Sequence, residues 1–144
     1  MYNSLVTTHY FLMIALLVLL LFTIGRFIIQ KQQNTPFGNF EDKLSLITLI
    51  FSHIQLLLGF IIFFLGPWAE KLSEMGEVMK NSFQRLHVIE HPLTMIIAII
   101  LITIGRSRAK KQTTSGGKYK QVIIFYGIAL ILIVLRIPWQ YING

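Results

Sequence analysis

Four histidines, His9, His53, His87 and His91, are the residues of this chain best suited to metal or redox chemistry. There is no cysteine, so thiolate ligands, disulfides and a cysteine nucleophile are excluded. No Ser-His-Asp arrangement, phosphate loop or dinucleotide-binding glycine pattern is present, and Gly116-Gly117 follows no strand. Whether the chain catalyses a reaction stays open on this reading. His9 lies 17 residues before Arg26, and His91 lies 15 residues before Arg106. At about 1.5 Å rise per helical residue, the two histidines differ in depth by only about 3 Å. Two imidazoles at matched depth on helices running in the same sense suit a b-type heme. Its iron takes one ring nitrogen on each face of the porphyrin, approached across a bundle interior. His87 is one turn from His91 on the same face and is the substitute second ligand. Arg136 and Arg85 are placed for the propionates. The plainer alternatives are interfacial histidines acting as anchors and helix-end arginines that snorkel to water.

His53 is deeper, about ten residues beyond Lys43, and cannot share an iron with both His9 and His91. Three roles compete for it: interhelical hydrogen bonding with Ser52 or Gln55, an accessory group near a heme edge or a quinone, or a ligand in a different pairing. A zinc or copper site built from His87, Glu90 and His91, with His9 facing them, is the other chemical option.

The elements that must position these residues are unusually apolar. Hydrophobic residues make up 54% of the 144, charged residues only 13%, and the mean hydropathy is +0.65. A soluble domain carries roughly a quarter charged residues. Four apolar runs predict membrane helices at about 9–29, 44–66, 86–105 and 120–138, each near the roughly 20 residues that cross a hydrocarbon core. No polar–apolar alternation of the membrane-strand kind appears. The first run has no basic residue before Arg26 and exceeds a signal-peptide core in length, so it reads as a retained helix.

Lys31, Lys43, Arg108, Lys110, Lys111, Lys118 and Lys120 fall in the loops after the first and third helices, with Arg26 and Arg106 at the helix ends. The positive-inside rule places those loops in the cytoplasm and both termini outside. The net charge of +7 is thereby a topology signal, and no nucleic-acid partner is expected. Thr23-Ile24-Gly25-Arg26 matches Thr103-Ile104-Gly105-Arg106, and Gly66-Pro67-Trp68 is echoed by Ile137-Pro138-Trp139. These matches predict two copies of one hairpin about an axis along the membrane normal. Leu72, Met75, Met79, Phe83 and Leu86 recur at helical spacing, which predicts an interfacial helix, either a tether or a lid. The stretch 112–117 predicts a flexible polar loop.

Ser52-His53-Ile54-Gln55-Leu56-Leu57-Leu58-Gly59, followed by Gly66-Pro67-Trp68, resembles the Q-x-L-L-G and Pro-Trp pattern of the heme A synthase family. In that family a helix opening with a heme-ligating histidine lies on each side of this segment; His9 and His91 (or His87) match those positions. The chain as a whole, including Glu90-His91-Pro92-Leu93-Thr94-Met95, is similar to small four-helix bacterial membrane proteins labelled cytochrome b. It has half the helices of a heme A synthase and lacks the E-x-x-H-R pattern, since Val6-Thr7-Thr8-His9-Tyr10 stands there. It also lacks the family's outer cysteine pair. The resemblance therefore implies the heme-binding scaffold and not the synthase reaction.

Together these readings lead to an all-α, integral membrane four-helix bundle forming a single domain over 1–144, in a bacterial inner membrane. Heme b would be held by His9 and His91, for electron transfer or as an accessory to a respiratory or heme-handling complex. The bilayer, and a membrane partner subunit or a second copy, are the expected partners. A cofactor-free assembly subunit and an outer-facing metal-ion handling protein are the competing functions.

Overall fold

Long apolar stretches satisfy their backbone groups internally when helical, and each of the four predicted runs coincides with one long helix, the second and fourth runs overshooting its C-terminal end by one and two residues. The computed structural model describes residues 1–139; the expected placement of the C-terminus concerns residues outside that range. The helices are α1 (Tyr2–Gln32), α2 (Asn39–Leu65), α3 (Ser82–Lys110) and α4 (Ser115–Arg136), each long and apolar enough to cross a membrane. No strand occurs among the described residues. α1, α2 and α3 extend past the predicted ends because hydrogen bonding continues through polar residues such as Asn3, Lys31 and Lys110. Apolar length reports the hydrocarbon-facing part of a helix, not the whole of it.

α3 and α4 pack most closely, α1 touches α2 and α4, and α2 touches α3. The helices therefore form a ring in chain order, with α1 and α3 facing each other across a diagonal. Gly105 permits the closest approach: a Cβ there would lie 2.5 Å from Cβ of Phe125 on α4.

The packed core is concentrated toward the end carrying Arg26 and Arg106, the basic end. There the rings of Phe27, Phe37 and Tyr119 meet edge-on at 5.1–5.5 Å. The Tyr119 hydroxyl donates to the carbonyl of Pro36 at 3.2 Å, and the Phe37 amide donates to Oγ of Ser115 at 2.9 Å, tying the loop between α1 and α2 to the first turns of α4. α2 is patterned inside out. Its buried residues include Glu41, Ser45, Thr48, Ser52 and Gln55, a polar stripe at spacings of four and three, whereas Ile50, Ile54, Leu57, Ile61 and Phe64 are exposed. The hydroxyls of Thr48 and Thr23 stand 3.3 Å apart, and Tyr126 donates to the Ser45 carbonyl at 2.8 Å. A helix surrounded by lipid presents apolar side chains outward and keeps its hydrogen-bonding groups for its neighbours.

Two local expectations are corrected. Ser115, Gly116 and Gly117 are not loop: they form the first turn of α4, capped by the Thr114 hydroxyl, which accepts from the Gly117 amide at 3.0 Å. A side-chain cap on an otherwise orphaned amide offsets the poor helix propensity of the glycines. The segment between α2 and α3 is also not one amphipathic helix. It is a 3₁₀ stretch, Ala69–Glu74, and a short helix, Met75–Lys80, broken at Asn81, which caps α3 by accepting from the Gln84 amide at 3.1 Å. Leu72, Met75 and Met79 are exposed, and fully buried Val78 anchors the segment instead.

Candidate functional site: a histidine pair across the bundle

At the end opposite the basic one, the diagonal helices α1 and α3 bring His9 and His91 together. Their ring centres are 6.4 Å apart and their planes stand at 88°. Pro92 decides how α3 delivers His91. A proline cannot donate to a carbonyl four residues back, and the helix runs through without stopping by widening to a π turn over Leu86–Glu90, in which the His91 amide reaches the Leu86 carbonyl. Single π turns within α-helices concentrate at functional sites. The wider turn also changes the phase between His87 and His91, so the two rings have different surroundings.

His91 is fixed by α4. Its Nδ1 donates to the main-chain carbonyl of Arg136 at 2.8 Å. A carbonyl only accepts, so the neutral ring holds its proton on Nδ1 and leaves Nε2 with a free lone pair. His9 is set against α2. Gln55 donates from Nε2 to the His9 main-chain carbonyl at 3.0 Å. Nδ1 of His9 and Oε1 of Gln55 are both buried without a hydrogen-bond partner, and the Gln55 side chain reaches the His9 ring. The two orphans are complementary: a proton on His9 Nδ1 has a ready acceptor in Gln55, and that tautomer again frees Nε2. Gly59 lies against the ring: a Cβ there would stand 3.5 Å from Cε1 of His9, an ordinary contact distance.

The other sequence candidates are placed differently. His87 is stacked on Trp68 with ring centres 4.6 Å apart and planes at 15°, touches Phe83 at 4.4 Å, and donates from Nδ1 to the Phe83 carbonyl at 2.9 Å. Arg85 is bound to Glu90 at 2.9 Å and to the Met79 carbonyl at 2.9 Å. Arg136 meets the pair through its backbone, while its guanidinium donates to the Leu135 carbonyl at 3.2 Å. His53 is exposed on the outer face of α2, with Nδ1 donating to the Leu49 carbonyl at 2.9 Å. Ser52 and Gln55 face the interior, so the expectation that His53 bonds to them is corrected. The zinc or copper set is not assembled either. Among the described residues no group of three or more His, Asp or Glu side chains gathers that could hold a metal ion, because His87 is engaged by Trp68 and Glu90 by Arg85.

Gln55, Gly59 and the Arg136 carbonyl are the site residues that sequence reasoning missed. The signal for Gln55 was its membership of the polar stripe at 41, 45, 48, 52 and 55, which marks the inward face of α2. No family model, curated protein or solved structure matches the chain.

Proposed function

We propose that this chain is a membrane-embedded b-type heme-binding protein, with His9 and His91 supplying the axial nitrogens. Its work on this reading is one-electron transfer, or service to a respiratory or heme-handling complex in a bacterial inner membrane. One observation carries the reading: the 6.4 Å between the two ring centres. Two metal–nitrogen bonds of about 2 Å and two imidazole radii of about 1.1 Å would place ligand ring centres roughly 6.2 Å apart. Burial gives further support. No residue of α1 before Leu16 and none of α2 after Gln55 is buried. On α1 and α2 side-chain burial thus stops short of the histidine end, while Val88, Ile133 and Ile137 stay buried there, an uneven packing that leaves the α1–α2 side the looser one.

A bound heme supplies a one-electron iron couple; the rest of the chemistry belongs to this chain. The Arg136 carbonyl holds the Nδ1 proton of His91, and Oε1 of Gln55 would accept one from Nδ1 of His9; such bonds orient the rings and raise the basicity of Nε2. Surrounding apolar side chains exclude water and favour the less charged state of whatever they enclose. Arg136, exposed and tied among the described residues only to its neighbour's carbonyl, is the arginine available to a propionate; Arg85 already has a carboxylate. On the same reading, the basic end lies in the cytoplasm and the N-terminus outside, as the distribution of Lys and Arg requires.

The test is the absorption spectrum of the purified protein and of single variants. A Soret band with sharp α and β bands on dithionite reduction is expected, and His9→Ala and His91→Ala should each convert it to a high-spin or heme-free form. A colourless protein carrying stoichiometric zinc or copper would establish the metal-ion alternative, and one carrying neither would establish the cofactor-free subunit. An unchanged low-spin spectrum in both variants would remove bis-histidine ligation.

A further inference from the structure

The two Thr-Ile-Gly-Arg copies end in different surroundings. On α3, Arg106 donates from Nη2 to Asp42 at 3.0 Å, with its side chain only 11% exposed. On α1, Arg26 has no carboxylate within ion-pair distance among the described residues. Its guanidinium carbon stands 4.7 Å over the Phe40 ring. Its Nε, like that of Arg106, is buried without a hydrogen-bond partner, so the missing carboxylate is what sets Arg26 apart. An arginine that merely snorkels ends in water; this one keeps a donor out of it. Beside Arg26 runs an open groove of about 640 Å³, walled by Leu21, Phe22, Gly25 and Ile29, with Gln30 at its polar end. Oε1 of Gln30 is a second buried orphan, its amide nitrogen being taken by Glu41 at 3.1 Å.

We propose that this groove is a binding site for an anionic phospholipid of the leaflet at the basic end. The phosphate takes the place at Arg26 that Asp42 takes at Arg106. An acyl chain lies along Leu21, Phe22 and Ile29. A free anion would need only the charge. The exposed apolar wall immediately on the hydrocarbon side of the arginine, with Leu21 and Phe22 61% and 50% exposed, selects a molecule with a charged head and an apolar tail. Glu41 does not fill the site, because its carboxylate is engaged by Gln30 and is no ion-pair partner of Arg26. The inference rests on the membrane-spanning part of the reading above and on nothing of its heme part.

Native mass spectrometry of the full chain in detergent tests it, with phosphatidylglycerol, phosphatidylcholine or inorganic phosphate as probe. Retention of phosphatidylglycerol should exceed that of phosphatidylcholine roughly five-fold, the worth of one basic side chain at an anionic lipid surface. Arg26→Gln should abolish the preference, while Lys31→Gln, an exposed charge off the groove, should keep it. Gly25→Leu fills the groove and leaves Arg26 in place, since nothing lies within 4 Å of a Cβ at that position; retention of both lipids should fall. Equal retention of the two lipids by the wild type, or an equal loss in the Arg26 and Lys31 variants, overturns the site. Displacement of phosphatidylglycerol by equimolar inorganic phosphate overturns the lipid assignment. If Arg26→Gln fails to fold, unchanged lipid retention in Gly25→Leu decides against the proposal. Release of the protein from membranes by alkaline carbonate would instead bring down the spanning reading itself.

Discussion

Gly25 and Gly105 occupy the same place in the two Thr-Ile-Gly-Arg copies, yet the same substitution should act oppositely at each. A Cβ at Gly25 meets nothing within 4 Å. Gly25→Ala should therefore gain the helix-propensity difference between the two residues, about 0.8–1 kcal/mol. A Cβ at Gly105 would stand 2.5 Å from the Cβ of Phe125 and 3.3 Å from its Cγ, whereas carbon atoms rest at about 3.5–4.0 Å. Phe125 cannot rotate this contact away, because a Cβ is fixed by its own backbone. α3 and α4 must separate by roughly 1 Å, and overpacking of this kind costs about 1–3 kcal/mol. The propensity gain is common to both variants, so the difference between them isolates the steric cost. At a few degrees per kcal/mol for a chain of this size, Gly105→Ala should unfold roughly 3–9 °C below Gly25→Ala. Thermal unfolding of the three proteins in one detergent, followed by circular dichroism, measures it. The tie between His91 and the Arg136 carbonyl lies 14 residues along α3 from Gly105, about 21 Å away, so any bound heme should keep its spectrum. Equal midpoints for the two alanine variants would refute the close approach of α3 and α4 at Gly105.

His87→Ala should leave a low-spin heme spectrum in place while lowering stability by about 0.5–1.5 kcal/mol, the worth of a ring pair such as that with Trp68; absorbance and thermal unfolding read the two effects separately. His53→Ala should likewise retain heme, since His53 faces away from the His9–His91 pair, and a heme-free His53→Ala beside a heme-replete His9→Ala would move the ligand to α2. Cysteines placed at Ser73 and Thr113, both exposed, should label oppositely in intact cells with an impermeant maleimide. Reaction at 113 with protection at 73 would invert the topology.

What could be read from the sequence was set by what a membrane constrains. The four helices long and apolar enough to cross a membrane were legible because their apolar runs reach about 20 residues, and the meeting of His9 and His91 was prefigured by their similar distances from Arg26 and Arg106. Rotation of each helix about its axis was much less legible. α2 is apolar on most of its circumference, so His53, near its centre, looked like an interior group. The buried face is instead the one with Ser45, Thr48, Ser52 and Gln55. Reading that stripe as inward, contrary to the habit formed on soluble helices, would have turned His53 outward and brought Gln55 toward the bundle interior. The π turn was less accessible still: Pro92 announced a disturbance, but only the backbone shows that the helix answers it by widening and not by stopping.

The two Thr-Ile-Gly-Arg stretches differ in their surroundings. Motifs shared by the copies, Gly-Arg at one end and a histidine toward the other, recur on α1 and α3, the helices that face each other across the ring. That placement lets one histidine from each copy approach the same point. The supports of the two histidines are not copies of one another. His91 is held by a main-chain carbonyl of α4, whose position needs only the fold, and His9 by the side chain of Gln55, which a single substitution can remove. The same asymmetry runs to the basic end, where α3 closes on α4 through Gly105 and pairs Arg106 internally, while α1 leaves Gly25 open and Arg26 without a carboxylate among the described residues. α3 and α4 thus form the fixed half of the bundle. α1, with its histidine, its arginine and its groove, is the helix on which an added molecule at either end has the most to act.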